Sequence, residues 1–362
     1  MSQRQIRQDS DLWSTDSWAA GSLLTASPSC KTRINTAQLR RQKREREQVR
    51  RKRHLKHFIA ATAIVMALGS VLVLGVSQVI TLPAFAGIAQ DQHAPPAGSQ
   101  IADSLSYLAD PFPSQKQPSQ LYDTGYLVLV NRDYPLREIP LRSAMSDTHL
   151  FVPSSHDGIG LHSSALTAVE EMFKAAERAG TGPFHVSSGH RDFVRQMQLY
   201  KSINDSSLVQ PPGHSEHHTG LAADILPTAL VTSGTPLDQQ LDGSSPEEQW
   251  LADNSWAYGL ILRYPPGTQH LTGIAFEPWH FRYVGLPHAW YMWHHDLTLE
   301  EYLCKLASVG GFDVTIDKQN YAVRYSTATD GVIYVPSDKY FTLSSTNRGS
   351  YIVTALSDER VD

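Results

Sequence analysis

Residues 58–76 read FIAATAIVMALGSVLVLGV, nineteen positions without a charge, and the apolar character continues past Ser77 and Gln78 to about residue 82. A helix of ~20 apolar residues is what a hydrocarbon core of ~30 Å requires. Immediately before it stands RRQKREREQVRRKRHLKH, and basic residues flanking an apolar span stay on the cytoplasmic side. Residues 58–82 are therefore expected to anchor the chain, with 1–57 cytoplasmic and everything after about residue 83 external. Ala84-Phe85-Ala86 resembles a signal-peptidase site, but so long an apolar stretch behind so long a leader favours an anchor that is kept.

Charge divides at the same place. Residues 1–57 hold 14 Lys+Arg against 5 Asp+Glu, a balance of +9, whereas the remainder carries −14. A basic run can bind nucleic acid, but directly against a membrane span it is a topology determinant and a contact for anionic lipid. We expect a membrane partner and no nucleic acid. Two cysteines in 362 residues offer no cysteine-based metal site.

Residues 1–30 lack hydrophobic periodicity, which predicts disorder. APPAG and PFPSQKQPSQ within 83–120 predict an extended, Pro-rich linker. The folded part is expected to start near Leu121, with YLVLVN as a buried strand. Helices are predicted over 162–180, from Asp192, and over 245–259, where Ser245, Pro246, Glu248 and Gly259 make a capping box and a stop. FHVSS, LILRY, IAFEP and HFRYVG predict short strands. Strands and helices mix without regular βαβ alternation, so the class is α+β. TLEEYLCKLASVG predicts a further helix, and FDVTI, YAVRY, VIYVP and YIVTAL predict a small β-rich appendage. The expected parts are thus 1–57, 58–82, 83–120, a catalytic domain over 121–297, and an appendage of unassigned role over 298–362.

Two distant segments carry chemistry. SEHHTGLAAD at 215–224 offers His217 and Asp224; EPWH at 277–280 offers Glu277 and His280. Two imidazoles and a carboxylate suit one Zn²⁺ ion with a position left open for water, and a further glutamate can move protons. His214 and His218 flank His217, so spacing alone leaves the ligand choice open. His217 and Asp224 would point to opposite faces of one unbroken strand, so Thr219-Gly220 must turn the chain between them. A separation of three poses the same problem for Glu277 and His280, and Pro278 can kink the strand there. Arg191, after a strand and at the start of a helix, is placed to hold a substrate carbonyl or its oxyanion.

Together, SSGHR, Gln196, SEHHTGLAAD, WAYGLILRYPPG and GIAFEPWHFRYVG, with YLVLVNRDYPL before them, resemble the VanY-type D-alanyl-D-alanine carboxypeptidases. These belong to the LAS zinc peptidases, which include VanX dipeptidases and the hedgehog N-terminal fold, a small antiparallel sheet with flanking helices. The resemblance covers about residues 121–287. It implies His217, Asp224 and His280 as ligands of one Zn²⁺, Glu277 as general base and Arg191 as stabiliser of the tetrahedral intermediate. Gln196 and Ser215 match positions that help place the substrate. His190 stands where the family usually has Tyr, and Asp192 where it often has Ser, which touches preference for the terminal residue. The implied reaction removes the C-terminal D-alanine from peptidoglycan stem pentapeptides or their lipid-linked precursor, outside a bacterial cell membrane. The alternatives are a stem endopeptidase of the same family, a dipeptidase for free D-Ala-D-Ala, and a non-catalytic zinc-containing module that binds cell wall.

Overall fold

The computed structural model describes residues 115–118, 125–231, 241–328, 332–337 and 339–357. The expected segments 1–57 and 58–82 lie outside them; among the described residues no helix is long and apolar enough to cross a membrane. Part of the expected linker is structured: β1 (Gln115–Pro118) pairs antiparallel with residues Val332–Val335.

The elements then follow in order. A small antiparallel pair, β2 (Ser146–Asp147) and β3 (Gly160–Leu161), precedes helix α1 (Ser163–Arg178). Next come β4 (Phe184–Ser188), α2 (Phe193–Ile203), β5 (Ala222–Pro227) and the short α3 (Thr228–Val231). After them stand α4 (Pro246–Asn254), β6 (Leu260–Leu262), α5 (Gln269–Thr272) and β7 (His280–Tyr283). Strands β4, β5, β7 and β6 pair antiparallel in that spatial order.

This sheet separates core from chemistry by its two-residue alternation. Ala223, Ile225, Val186 and Phe281 share one face and are buried with Leu166, Val169 and Met172 of α1. The α1 residues recur at intervals of three, the spacing that lays a helical stripe onto a sheet. Asp224 and His280 are cross-strand partners on the opposite face.

Beyond β7 lie α6 (Leu286–His295) and α7 (Leu299–Val309), then β8 (Gly311–Ile316), β9 (Gln319–Ser326), β10 (Val332–Val335), β11 (Phe341–Ser345) and β12 (Tyr351–Ser357). Strands β11, β12, β9 and β8 form a second antiparallel sheet. The predicted appendage is therefore β-rich, and it is bonded to the first sheet's surroundings. His288 on α6 joins the Tyr302 hydroxyl of α7 at 2.6 Å and the Thr354 hydroxyl of β12 at 2.9 Å.

Two expected strands are absent. Residues 126–131, buried from Leu127 to Asn131 with Tyr126 half-buried, are not a strand of a sheet. Their backbone is satisfied instead by Arg282 Nη2, donating to the Tyr126 and Val128 carbonyls, by the Ser344 hydroxyl, which accepts from Leu127 N, and by Asn347, donating to the Leu129 carbonyl. A buried backbone needs partners but does not require a ladder. IAFEP is likewise irregular: Ala275 N bonds to the Ser207 carbonyl and Glu277 N to that of Tyr264.

Candidate active site

The first ligand segment is turned in the way the spacing demanded. Residues Glu216–Thr219 form one 3-10 turn that ends on Gly220 at φ +70°, and β5 begins two residues later. Gly220 is required there twice over. Its φ is one that L side chains avoid, and an added Cβ would lie 2.3 Å from Met145 Sδ. The turn delivers His217 to the face that Asp224 occupies.

The three histidines of this segment are separated by what their ring nitrogens already bond. His214 Nδ1 meets the Asn131 carbonyl at 2.9 Å. His218 uses both nitrogens: Nδ1 on the Arg191 carbonyl at 2.6 Å, and Nε2 accepting from Gly213 N at 3.0 Å. His217 bonds the Gly189 carbonyl through Nδ1 at 2.7 Å, which leaves Nε2 buried and without a hydrogen-bond partner. Nε2 is therefore the basic nitrogen, free to bind a metal.

His217 Nε2 lies 3.3 Å from Asp224 Oδ2, and His280 Nδ1 lies 3.1 Å from Asp224 Oδ1. The imidazoles meet edge to face, centroids 4.9 Å apart. One ligand atom from each of His217, Asp224 and His280 falls within 4.8 Å of the others. Buried polar atoms rarely go unpaired, yet His217 Nε2 and Asp224 Oδ1 have no hydrogen-bond partner. A cation held by nitrogen and carboxylate donors would satisfy both, so the residues fit a divalent metal.

Electrostatics sharpen the roles. Burial alone would raise the Asp224 carboxyl, but His217 and His280 together hold it well below the usual carboxylate range. Burial pushes the His217 imidazole down to about 4, which keeps it neutral, as a ligand must be. Glu277 behaves differently from Asp224. Burial pushes its carboxyl up to about 8, a neighbouring His280 opposes the rise, and the Asp224 charge adds to it. Its Oε2 is 3.7 Å from His280 Nδ1, beside the three candidate ligands. The turn that places it is closed by His280 N on the Glu277 carbonyl at 3.2 Å, so Pro278 sits in a turn before β7 and not inside a kinked strand.

Arg191 follows β4, and its Nη2 reaches Asp224 Oδ2 at 3.5 Å. Its Nη1 donates to Gln196 Oε1 at 3.0 Å, and its Nε is buried without a partner. Asp192 caps α2 as expected, accepting from Arg195 N at 2.7 Å. Gln196, 1% exposed, is bonded to Arg191 on one side and to the Gln210 carbonyl at 2.7 Å on the other. It holds the arginine. Ser215 is buried at the head of the 3-10 turn, where its carbonyl accepts from His218 N. His190 points its Nε2 at the Pro140 carbonyl, 2.8 Å away. The tilted Tyr264 ring against His280, centroids 4.8 Å apart, was not foreseen.

Comparison with known proteins places this arrangement. Residues 158–286 match the family model described as VanY, D-alanyl-D-alanine carboxypeptidase. A D-alanyl-D-alanine carboxypeptidase of Enterococcus faecium is 34% identical over 249 residues, which cover 66% of this chain and 77% of that protein. The chain belongs to the VanY family of D-alanyl-D-alanine carboxypeptidases. Another relative, a bifunctional D-Ala-D-Ala dipeptidase and carboxypeptidase of Enterococcus gallinarum, is 33% identical over 187 residues, 49% of this chain and 92% of that one. Among solved structures, the vancomycin-resistance D,D-dipeptidase VanXYg in complex with a D-Ala-D-Ala phosphinate analogue aligns with TM-score 0.52 and 26% identity. That alignment covers 64% of this chain and 94% of VanXYg. His217, Asp224, Glu277 and His280 all lie within the stretch that matches the VanY model.

Proposed function

We propose that this VanY-family protein is a membrane-anchored, zinc-dependent carboxypeptidase that removes the terminal D-alanine from peptidoglycan stem peptides ending in D-Ala-D-Ala. The observation that carries this reading is a division of labour among buried groups. His217 Nε2, Asp224 and His280 Nδ1 converge as donors, while a fourth group, Glu277, is pushed to about 8 and can hold a proton near neutrality.

His217, Asp224 and His280 would hold the ion, which when bound supplies Lewis acidity to the scissile carbonyl and lowers the pKa of water. Glu277 accepts the proton of the attacking water on a carboxylate oxygen and returns it to the departing amine of D-alanine. Arg191 is the electrophilic partner: its Nη1 is fixed by Gln196 and its Nη2 by Asp224, which leaves the buried Nε–H to meet negative charge on the former carbonyl oxygen. Burial of these groups excludes bulk water, which strengthens each of those contacts.

The anchor is residues 58–82, with the basic run inside and the catalytic part outside, where lipid-linked precursors and nascent wall are found. Protease protection in intact cells tests this: cleavage of the catalytic part from outside is expected, and full protection would sink the topology.

The deciding experiment incubates the full chain, loaded with Zn²⁺, with a stem pentapeptide ending in D-Ala-D-Ala and follows free D-alanine, with Glu277→Ala in parallel. Release by the wild type and not by the variant is expected. Larger fragments would make it an endopeptidase, and preference for free D-Ala-D-Ala a dipeptidase. No cleavage despite bound zinc would make it a cell-wall binding module.

A further inference from the structure

Glu216 stands one residue before the ligand His217, buried among charged groups that the reaction does not use. Its Oε1 accepts from Arg263 Nε at 2.8 Å and pairs with Arg282 Nη1 at 2.8 Å. Its Oε2 has no hydrogen-bond partner, and neither has His280 Nε2. These two atoms face each other across 3.7 Å, longer than a formed hydrogen bond. His280 turns its other nitrogen, Nδ1, to Asp224.

The chain of charges continues outward. Arg263, wholly buried, places Nη1 and Nη2 on the two carboxylate oxygens of Glu300 at 2.9 and 2.7 Å. That is a two-pronged fork, which fixes direction as well as distance. Glu300 also accepts from Asn131 Nδ2 at 3.1 Å. It belongs to α7, beyond residue 286, where the family match ends.

Two arginines and two glutamates balance in charge, and a balanced buried ion network is weak evidence of stabilisation. Orientation is what it supplies. An imidazole that binds metal through one nitrogen is aimed by what the other nitrogen faces, and such partners commonly govern metal affinity. We propose that Glu300, Arg263 and Glu216 form a positioning relay that sets the ring plane and tautomer of His280, so that helix α7 of the C-terminal region is a working part of the metal centre. This rests on the reading of His217, Asp224 and His280 as metal ligands. The three residues touch neither substrate nor metal; they act through His280.

The test uses the full chain, stripped of metal and then titrated with Zn²⁺ against a chromophoric chelator, and separately with Co²⁺ to read its d–d absorption. Glu300→Gln keeps shape and removes the charge. It is expected to weaken Zn²⁺ about ten- to a hundredfold, to change the Co²⁺ spectrum, and to lower kcat with little change in KM. Glu300→Asp restores the charge and is expected to recover part of the affinity. Glu301→Gln is the control on the same helix, because Glu301 serves the helix cap at Thr298; it is expected to leave Zn²⁺ affinity and the spectrum unchanged.

Wild-type affinity and spectrum in a folded Glu300→Gln protein would overturn the relay. Equal loss in Glu301→Gln would overturn it too, by showing a general effect of helix damage. Should Glu300→Gln not fold, the same comparison is made with Glu300→Asp, expected then to bind Zn²⁺ more weakly than wild type; equal affinity would reject the relay. A wild type that binds zinc but releases no D-alanine would refute the substrate reading alone, whereas one that binds neither ion would refute both.

Discussion

Glu277 and Asp224 are both carboxylates beside the same imidazoles, yet their surroundings drive them apart, one up to about 8 and the other well below its usual range. Under the proposed function, such a split gives proton transfer to the first and charge to the second. Glu277→Gln is accordingly expected to lower kcat by about 10²–10⁴ with Zn²⁺ affinity retained; loss of affinity in parallel would make Glu277 a ligand. For Gln196 the expected effect is indirect. Gln196→Ala frees the Arg191 guanidinium, and kcat should fall roughly tenfold or more with KM little changed. A rise in KM at constant kcat would instead support the expected contact with substrate. The candidate metal donors were legible as residue types and the family resemblance named His217, but spacing alone did not choose it over His214 and His218. That choice depends on carbonyls of Asn131, Arg191 and Gly189, which only the folded chain brings near.

Among the elements, those with a local signal read correctly. The Ser245/Glu248 capping box closes in both directions, and Gly259 follows at φ +76°. FHVSS is β4 residue for residue. Misreadings fall where tertiary partners replaced local rules. The run at 126–131 looks like a strand because it is apolar, but an arginine from β7 and polar side chains from β11 and the turn after it take its backbone groups. Helix α6 carries no cap signal: Gly285 precedes it without a side-chain hydrogen bond. Helix α7 has a capping box that the sequence reading passed over, Thr298 with Glu301. Thr298→Ala is expected to cost about 1 kcal/mol, measured as a lower denaturant midpoint at unchanged slope; no shift would mean that tertiary contacts alone hold the helix end.

At the scale of the folded unit, pH reports on the joint between the two sheets. His288 is buried between α7 and β12, and burial pushes its imidazole down to about 3. The folded form thus holds it neutral, while the unfolded chain takes up a proton near 6.5. Stability is present above about 6.5 and is lost as pH falls toward about 3, at up to about 1.4 kcal/mol per pH unit. Acid unfolding curves should show a shallower pH slope for His288→Gln across that window, and an unchanged slope would place the acid sensitivity elsewhere. The expected membrane span was read from composition alone and lies outside the described residues; the site needed the fold to be assembled. One consequence concerns manufacture. Leu127 N closes on Ser344, 217 positions later, so a chain emerging from its N-terminus must wait for nearly all of its sequence before that bond can form. Contacts of such long range slow folding. The hydrolase would then stay immature until its C-terminal region has been made, with its catalytic half made early and fastened last.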